Sequence, residues 1–105
     1  MNMWQRVKMM NIEIHITKKV KKDLNNLASK RDQSKSVSML KKLRTNPYLG
    51  KSLKGELKGY YSLHFSLSNG AARAIYKIIE NEKIVLVLLV GYRENIYDIL
   101  KRRIN

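Results

Sequence analysis

Four residues of this sequence have side chains suited to work on a phosphodiester: Arg73, Arg93, His64 and Tyr97. An arginine fork meets two phosphate oxygens at once and never loses its charge, so it can neutralise a pentacoordinate phosphate. Histidine, tyrosine or a lysine of depressed pKa can move the protons. Together they fit metal-independent cleavage of RNA, where the substrate's own 2′-hydroxyl attacks the adjacent phosphate and the protein holds the backbone in line. Other chemistries lack their parts. There is no cysteine, which removes disulfides, thiolate nucleophiles and cysteine-ligated metals. The acidic residues Glu13, Asp23, Asp32, Glu56, Glu80, Glu82, Glu94 and Asp98 are scattered, so no two-metal carboxylate cluster is expected. P-loop, dinucleotide-binding glycine and His-Glu-x-x-His patterns are missing, and neither His15 nor His64 has an acidic cluster beside it in sequence. Neither a metal nor a small-molecule cofactor is expected.

The charge of the chain points to a polyanion. Its 105 residues carry 22 lysines and arginines against 8 acids, a formal net charge of +14. Such a surface attracts nucleic acid, an anionic membrane or an acidic protein; a merely solvated lysine face is the plain alternative. Twelve of the basic residues lie in 1–50 and ten in 51–105, so this is not a basic tail on a neutral domain. Lys51, Lys54 and Lys58 fall in a stretch punctuated by Pro47, Gly50, Gly55 and Gly59. That stretch reads as a linker or as the basic rim of a groove. With Ser62 and Lys77, these lysines are the expected RNA contacts. The longest apolar run, Ile84 to Val90, has seven residues, where a membrane helix needs about 20. Residues 1–10 hold no apolar stretch long enough for a secretory signal. A cytoplasmic protein with no membrane partner is expected. Residues 1–9 read as a poorly ordered leader or an upstream start, and 10–105 as one domain.

Several elements must position these side chains. Ile12, Ile14 and Ile16 alternate with polar residues and predict a short strand. Thr17 can cap a helix whose stripe is Val20, Leu24, Leu27 and Ala28. The polar run Lys30 to Ser36 breaks the pattern. Ser34 or Ser36 then caps a second helix with Val37, Leu40 and Leu43 inside, ending at Asn46-Pro47. Tyr61, Leu63, Phe65 and Leu67 alternate with Tyr60, Ser62, His64 and Ser66, and Asn69-Gly70 signals a hairpin turn. With those two residues as the turn, Ser66 faces Arg73, His64 faces Ile75 and Ser62 faces Lys77. A core face separates from a face carrying Ser62, His64, Ser66, Arg73 and Lys77, with Ile75 and Ile79 among them. A two-residue change in loop length keeps that sorting; a one-residue change destroys it. Ile84 to Val90 does not alternate, which suits a central strand covered on both faces. A closing helix runs over Glu94 to Ile104, with Lys101, Arg102 and Arg103 near its C-terminal end. The class is α+β: one small antiparallel sheet with two N-terminal helices and a C-terminal helix.

These stretches resemble the RelE/ParE superfamily of bacterial and archaeal type II toxins. The resemblance is carried by residues 12–24, by Leu53-Lys-Gly-Glu-Leu-Lys-Gly-Tyr-Tyr-Ser-Leu-His-Phe65, by Arg73-Ala-Ile-Tyr-Lys77 and by Val90-Gly-Tyr-Arg-Glu-Asn-Ile-Tyr97. Within the superfamily the chain is more similar to the RelE-type ribosome-dependent mRNA endonucleases. The resemblance implies a compact βααβββα fold and mRNA cleavage in the ribosomal A site by 2′-hydroxyl attack. It also implies inhibition by a cognate antitoxin, which the excess positive charge suggests is acidic. Arg73 matches the family's hairpin arginine on the scissile phosphate, and Arg93 the arginine that stabilises the transition state. Ser62 and His64 stand where RelE-type members often carry two lysines, one of them the general base. Tyr97 is an approximate substitute for the family's C-terminal tyrosine, to whose place Ile99 is closer. Two alternatives remain: a ParE-like inhibitor of DNA gyrase that acts by binding alone, and a degenerate toxin that keeps only antitoxin binding.

Overall fold

The computed structural model describes residues 12–104; the expected leader, 1–9, lies outside them. The isoleucine alternation forms strand β1 (Glu13–Ile16). Thr17 then caps helix α1 (Lys18–Asn25), its hydroxyl accepting the Val20 amide at 3.1 Å. Helix α2 (Lys30–Lys41) starts earlier than the polar run suggests. Ser29, rather than Ser34 or Ser36, is its cap, accepting the Asp32 amide at 3.1 Å. Ser36 is buried mid-helix and donates to the Asp32 carbonyl at 2.9 Å. Leu40 and Leu43 face inward, whereas Val37 is turned out and 38% exposed.

The remaining elements are β2 (Lys51–Ser52), β3 (Tyr60–Leu67), β4 (Gly70–Ile79), β5 (Ile84–Tyr92) and α3 (Ile96–Ile104). All five strands form one sheet in the order β1-β5-β4-β3-β2. The class is α+β as expected, with two differences of detail. β1 pairs with β5 in parallel, and the two-residue β2 adds an edge beside β3. Helices α1 and α2 cover one face, where Val20, Leu40 and Leu43 pack with Leu63, Phe65, Tyr76, Val85 and Val87. Helix α3 covers part of the other face, where Ile96 and Leu100 pack on Ile75 and Leu89. β5 is therefore apolar on both sides, which is why it reads as an unbroken run.

Two irregularities set the phase of the sheet. In the β3–β4 hairpin Leu67 faces Gly70 and His64 faces Arg73, so the turn residues are Ser68 and Asn69 rather than Asn69 and Gly70. The shift is two residues, and the sorting of faces survives it. The cause lies outside the hairpin. Buried Asp32 accepts the Ser68 amide at 3.1 Å and the Ser68 hydroxyl at 2.5 Å, while Gly70 takes φ +132° at the start of β4. In β5 a bulge intervenes: Ile75 faces Leu89 but Tyr76 faces Val87, leaving Leu88 as an extra residue. Val85 and Val87 pack toward α1 and α2 before the bulge, and Val90 packs toward them after it. The alternation changes phase between them.

Candidate active site

His64 and Arg73 are direct cross-strand neighbours on β3 and β4, and Arg73 in turn faces Gly91 on β5. Two residues past Gly91, the Arg93 amide donates to the Ala71 carbonyl at 3.1 Å. Three side chains from three parts of the sequence thus reach one sheet face, beside the start of α3. They line a cleft of about 300 Å³ together with Phe65, Ser66, Ala71 and Ala72. A second cleft of about 570 Å³, lined by Asn69, Ala71, Tyr92, Arg93 and Glu94, shares Ala71 and Arg93 with it. The two arginines therefore stand on the same side of the molecule.

Tyr97, in the first turn of α3, fixes Arg73. Its phenol oxygen accepts a hydrogen bond from Arg73 Nη1, and the guanidinium carbon sits 5.3 Å from the ring centroid. Arg73 is half-buried and held; Arg93 is exposed and projects from the cleft rim. The His64 imidazole is held below its ordinary pKa, first by partial burial and then by the charges of Arg73 and Lys51. At neutral pH it is uncharged and able to accept a proton. Among the described residues, no group of three or more His, Asp or Glu side chains is placed to hold a metal ion.

The other expected contacts divide. Lys51 lies opposite Ser62 on β2, and its charge reaches His64. Lys54 and Lys58 instead line a separate cleft of about 440 Å³ with Leu53, Gly55, Gly59 and Tyr61. Lys77 is four residues from Arg73 along β4, about 13 Å away at strand spacing. Between them Ile75 is sealed under α3. Ser62 is 1% exposed, flanked by β2 and by Ile75. Its Oγ has no hydrogen-bond partner among the described residues.

Sequence reasoning missed a part-buried ion pair next to the site. Asp23 on α1 binds Arg103 on α3 through two contacts of 2.7 Å. From the sequence, Arg103 falls on the side of the closing helix that carries Ile96, Ile99 and Leu100 and suits its C-terminal end, with no partner indicated. The spacing of 80 residues left no local signal that would have found the pair.

Residues 14–101 match the family described as ParE-like toxin of type II bacterial toxin-antitoxin system. The fold is similar to a chain of the toxin–antitoxin complex RelBE2 from Mycobacterium tuberculosis. Identity there is 27% and the TM-score 0.69, covering 78% of this chain and 98% of that one. It is also similar to a mutant E. coli toxin RelE in the free state, at 21% identity and TM-score 0.70, over 90% and 98% of the two chains. A chain of the intact E. coli RelBE toxin–antitoxin complex matches at 18% identity and TM-score 0.63, over 79% and 98%. None of the curated proteins is significantly similar to the chain in sequence.

Proposed function

The chain belongs to the ParE-like toxins of type II bacterial toxin–antitoxin systems, in the RelE/ParE superfamily, and from that membership we propose that it is a ribosome-dependent endoribonuclease that cuts mRNA in the A site. The observation that carries this reading is the meeting of His64, Arg73 and Arg93 in one cleft. Shared fold alone would not distinguish an RNA-cutting toxin from one that acts by binding.

The proposed reaction needs no nucleophile from the protein. His64, uncharged at neutral pH, takes the proton of the 2′-hydroxyl as that oxygen bonds to phosphorus. Arg73, pre-set by Tyr97, meets the non-bridging oxygens of the phosphate. Arg93, exposed at the rim, binds the charge that grows in the pentacoordinate state. The phosphorus–O5′ bond then breaks, and the leaving oxygen takes a proton from the Tyr97 hydroxyl, which accepts from Arg73 and so keeps its own hydrogen. The products are a 2′,3′-cyclic phosphate and a 5′-hydroxyl end. Lys51 adds positive potential beside His64 for the incoming strand.

The test is cleavage of mRNA on programmed ribosomes, with the RNA ends mapped. Arg73→Ala and Arg93→Ala are each expected to lower single-turnover cleavage by about 10²–10³ and to abolish growth arrest, with the protein still folded by circular dichroism. Folded wild-type protein bound to ribosomes whose mRNA stays intact would overturn the reading. One observation favours a second reading: neither Ser62 nor His64 supplies the fixed charge of a lysine, and Ser62 is buried. Under that reading the chain is a degenerate toxin that keeps only antitoxin binding, and the wild-type protein would cause no growth defect when its partner is absent. In either case we propose an acidic antitoxin segment lying over the basic surface. The relatives from Mycobacterium tuberculosis and E. coli are seen in toxin–antitoxin complexes. Among the described residues no helix is long and apolar enough to cross a membrane, and a ribosomal target would place the protein's action in the cytoplasm.

A further inference from the structure

Arg93, which lines the cleft, directly follows β5, a strand that changes phase. Residues 85 and 87 pack toward α1 and α2. Strict alternation would send 89, 91 and 93 to that same side. Leu88, the extra residue of the bulge, reverses the order: Leu89 packs under α3, Gly91 faces Arg73, and Arg93 lines the cleft. A bulge breaks the ladder and leaves backbone groups that need partners. Here the partners come from the Asp23–Arg103 pair. The Leu88 carbonyl accepts from Arg103 Nη1 at 2.9 Å, and the Val90 amide donates to Asp23 Oδ2 at 3.0 Å. The two side chains are 13% and 18% exposed and grip each other at 2.7 Å. Three elements distant in sequence thus close on the one irregular point of the strand.

We propose that Asp23 and Arg103 are positioning residues for the active cleft: by bonding the backbone on both sides of Leu88 they hold the bulge, and the bulge holds Arg93 on the same face as Arg73 and His64. Ion-pair stability alone would not require this placement, since a buried pair is often no more stabilising than an apolar substitute. The pair is built around the Leu88 carbonyl and the Val90 amide, which no apolar side chain could satisfy.

The chain has no cysteine and only two histidines, His15 and His64, so one nitroxide label can read the geometry. In Arg93→Cys carrying the label, the His64 imidazole signals should be strongly broadened in the proton NMR spectrum. His15 faces Leu86, seven residues before Arg93, about 20 Å away along the strand, and serves as the distant reference. Adding Arg103→Met is expected to relieve the broadening at His64. Arg103→Lys keeps the charge beside Asp23 but gives up one arm of the fork, so it is the variant built to fold, and it should relieve the broadening in part. Broadening that stays unchanged in folded Arg103→Lys and Asp23→Asn would overturn the proposal.

The consequence for turnover rests on the endonuclease reading. There, Arg103→Lys should lower kcat by roughly 10²-fold with KM nearly unchanged, as expected for a misplaced catalytic group. Its effect should vanish in an Arg93→Ala background. Losses that simply multiply would mean a general structural role and would also overturn the proposal. The label experiment uses no RNA, so the two readings fail separately. A protein that holds residue 93 beside His64 but never cuts mRNA would sink the endonuclease reading and leave the positioning role standing.

Discussion

Under the proposed endonuclease reading, His64 is the residue whose protonation decides whether the cleft can act. Partial burial and the charges of Arg73 and Lys51 all disfavour its charged form. As a general base it works in the neutral form, so cleavage should rise with pH through its lowered pKa and then level off. The acid limb of single-turnover cleavage is therefore expected below the ordinary imidazole value of about 6.5. His64→Ala should remove that limb and lower the rate by roughly 10²–10⁴. A limb centred above 7 would assign the base to another group. The sign for stability is the same. The folded chain binds this proton less readily than the unfolded one, so stability is lost as the pH falls through the imidazole range.

Among the elements, the short β2 strand depends on a fit that tolerates no added atom. Tyr76 donates its hydroxyl to the Pro47 carbonyl at 2.6 Å and accepts the Gly50 amide at 2.9 Å. A Cβ on Gly50 would lie 2.7 Å from that hydroxyl oxygen and 3.0 Å from the Ser62 carbonyl. Gly50→Ala must therefore displace β2 and Lys51 from the sheet, and Tyr76→Phe must leave the Pro47 and Gly50 groups short of a partner. Each is expected to cost about 1–3 kcal/mol in denaturant unfolding; a change below about 0.5 kcal/mol in both would show that the strand is held otherwise. Elements of this kind differ in how far sequence reveals them. The hairpin could be read because Leu63, Phe65 and Leu67 alternate with His64 and Ser66 over a long stretch. Arg73 and His64 were placed on the right face even with the register off by two, since side-chain direction repeats every two residues. What stayed hidden depended on remote partners. Asp32 reads as part of a polar break and Ser36 as a candidate helix cap, because a buried polar residue resembles a surface one until its partner is known. The hairpin register follows from Asp32, 36 residues before Ser68. The phase of Arg93 follows from a bulge whose partners, Asp23 and Arg103, lie at opposite ends of the domain.

The whole molecule carries +14 on 105 residues, and any polyanion it binds must displace counterions. Affinity for a short single-stranded RNA should fall as salt rises, with a log–log slope of about −0.7 per phosphate neutralised. Lys51→Ala is expected to make that slope shallower by about one such increment in fluorescence anisotropy titrations; an unchanged slope would remove Lys51 from the interface. The tip of the β3–β4 hairpin is tied to the N-terminal half of the chain through Asp32. Ser68 is exposed and sits in a turn, where an amide would ordinarily trade its hydrogen with solvent at once. The carboxylate that grips it, kept below its usual pKa first by the Ser68 hydroxyl and then by the Ser68 amide, should slow that trade markedly. Deuterium uptake at this amide should stay well below the intrinsic rate until the pH falls through the lowered pKa of Asp32, and should match the intrinsic rate at every pH in Asp32→Ala. A loop outwardly as loose as any other would then keep time with the helix behind it.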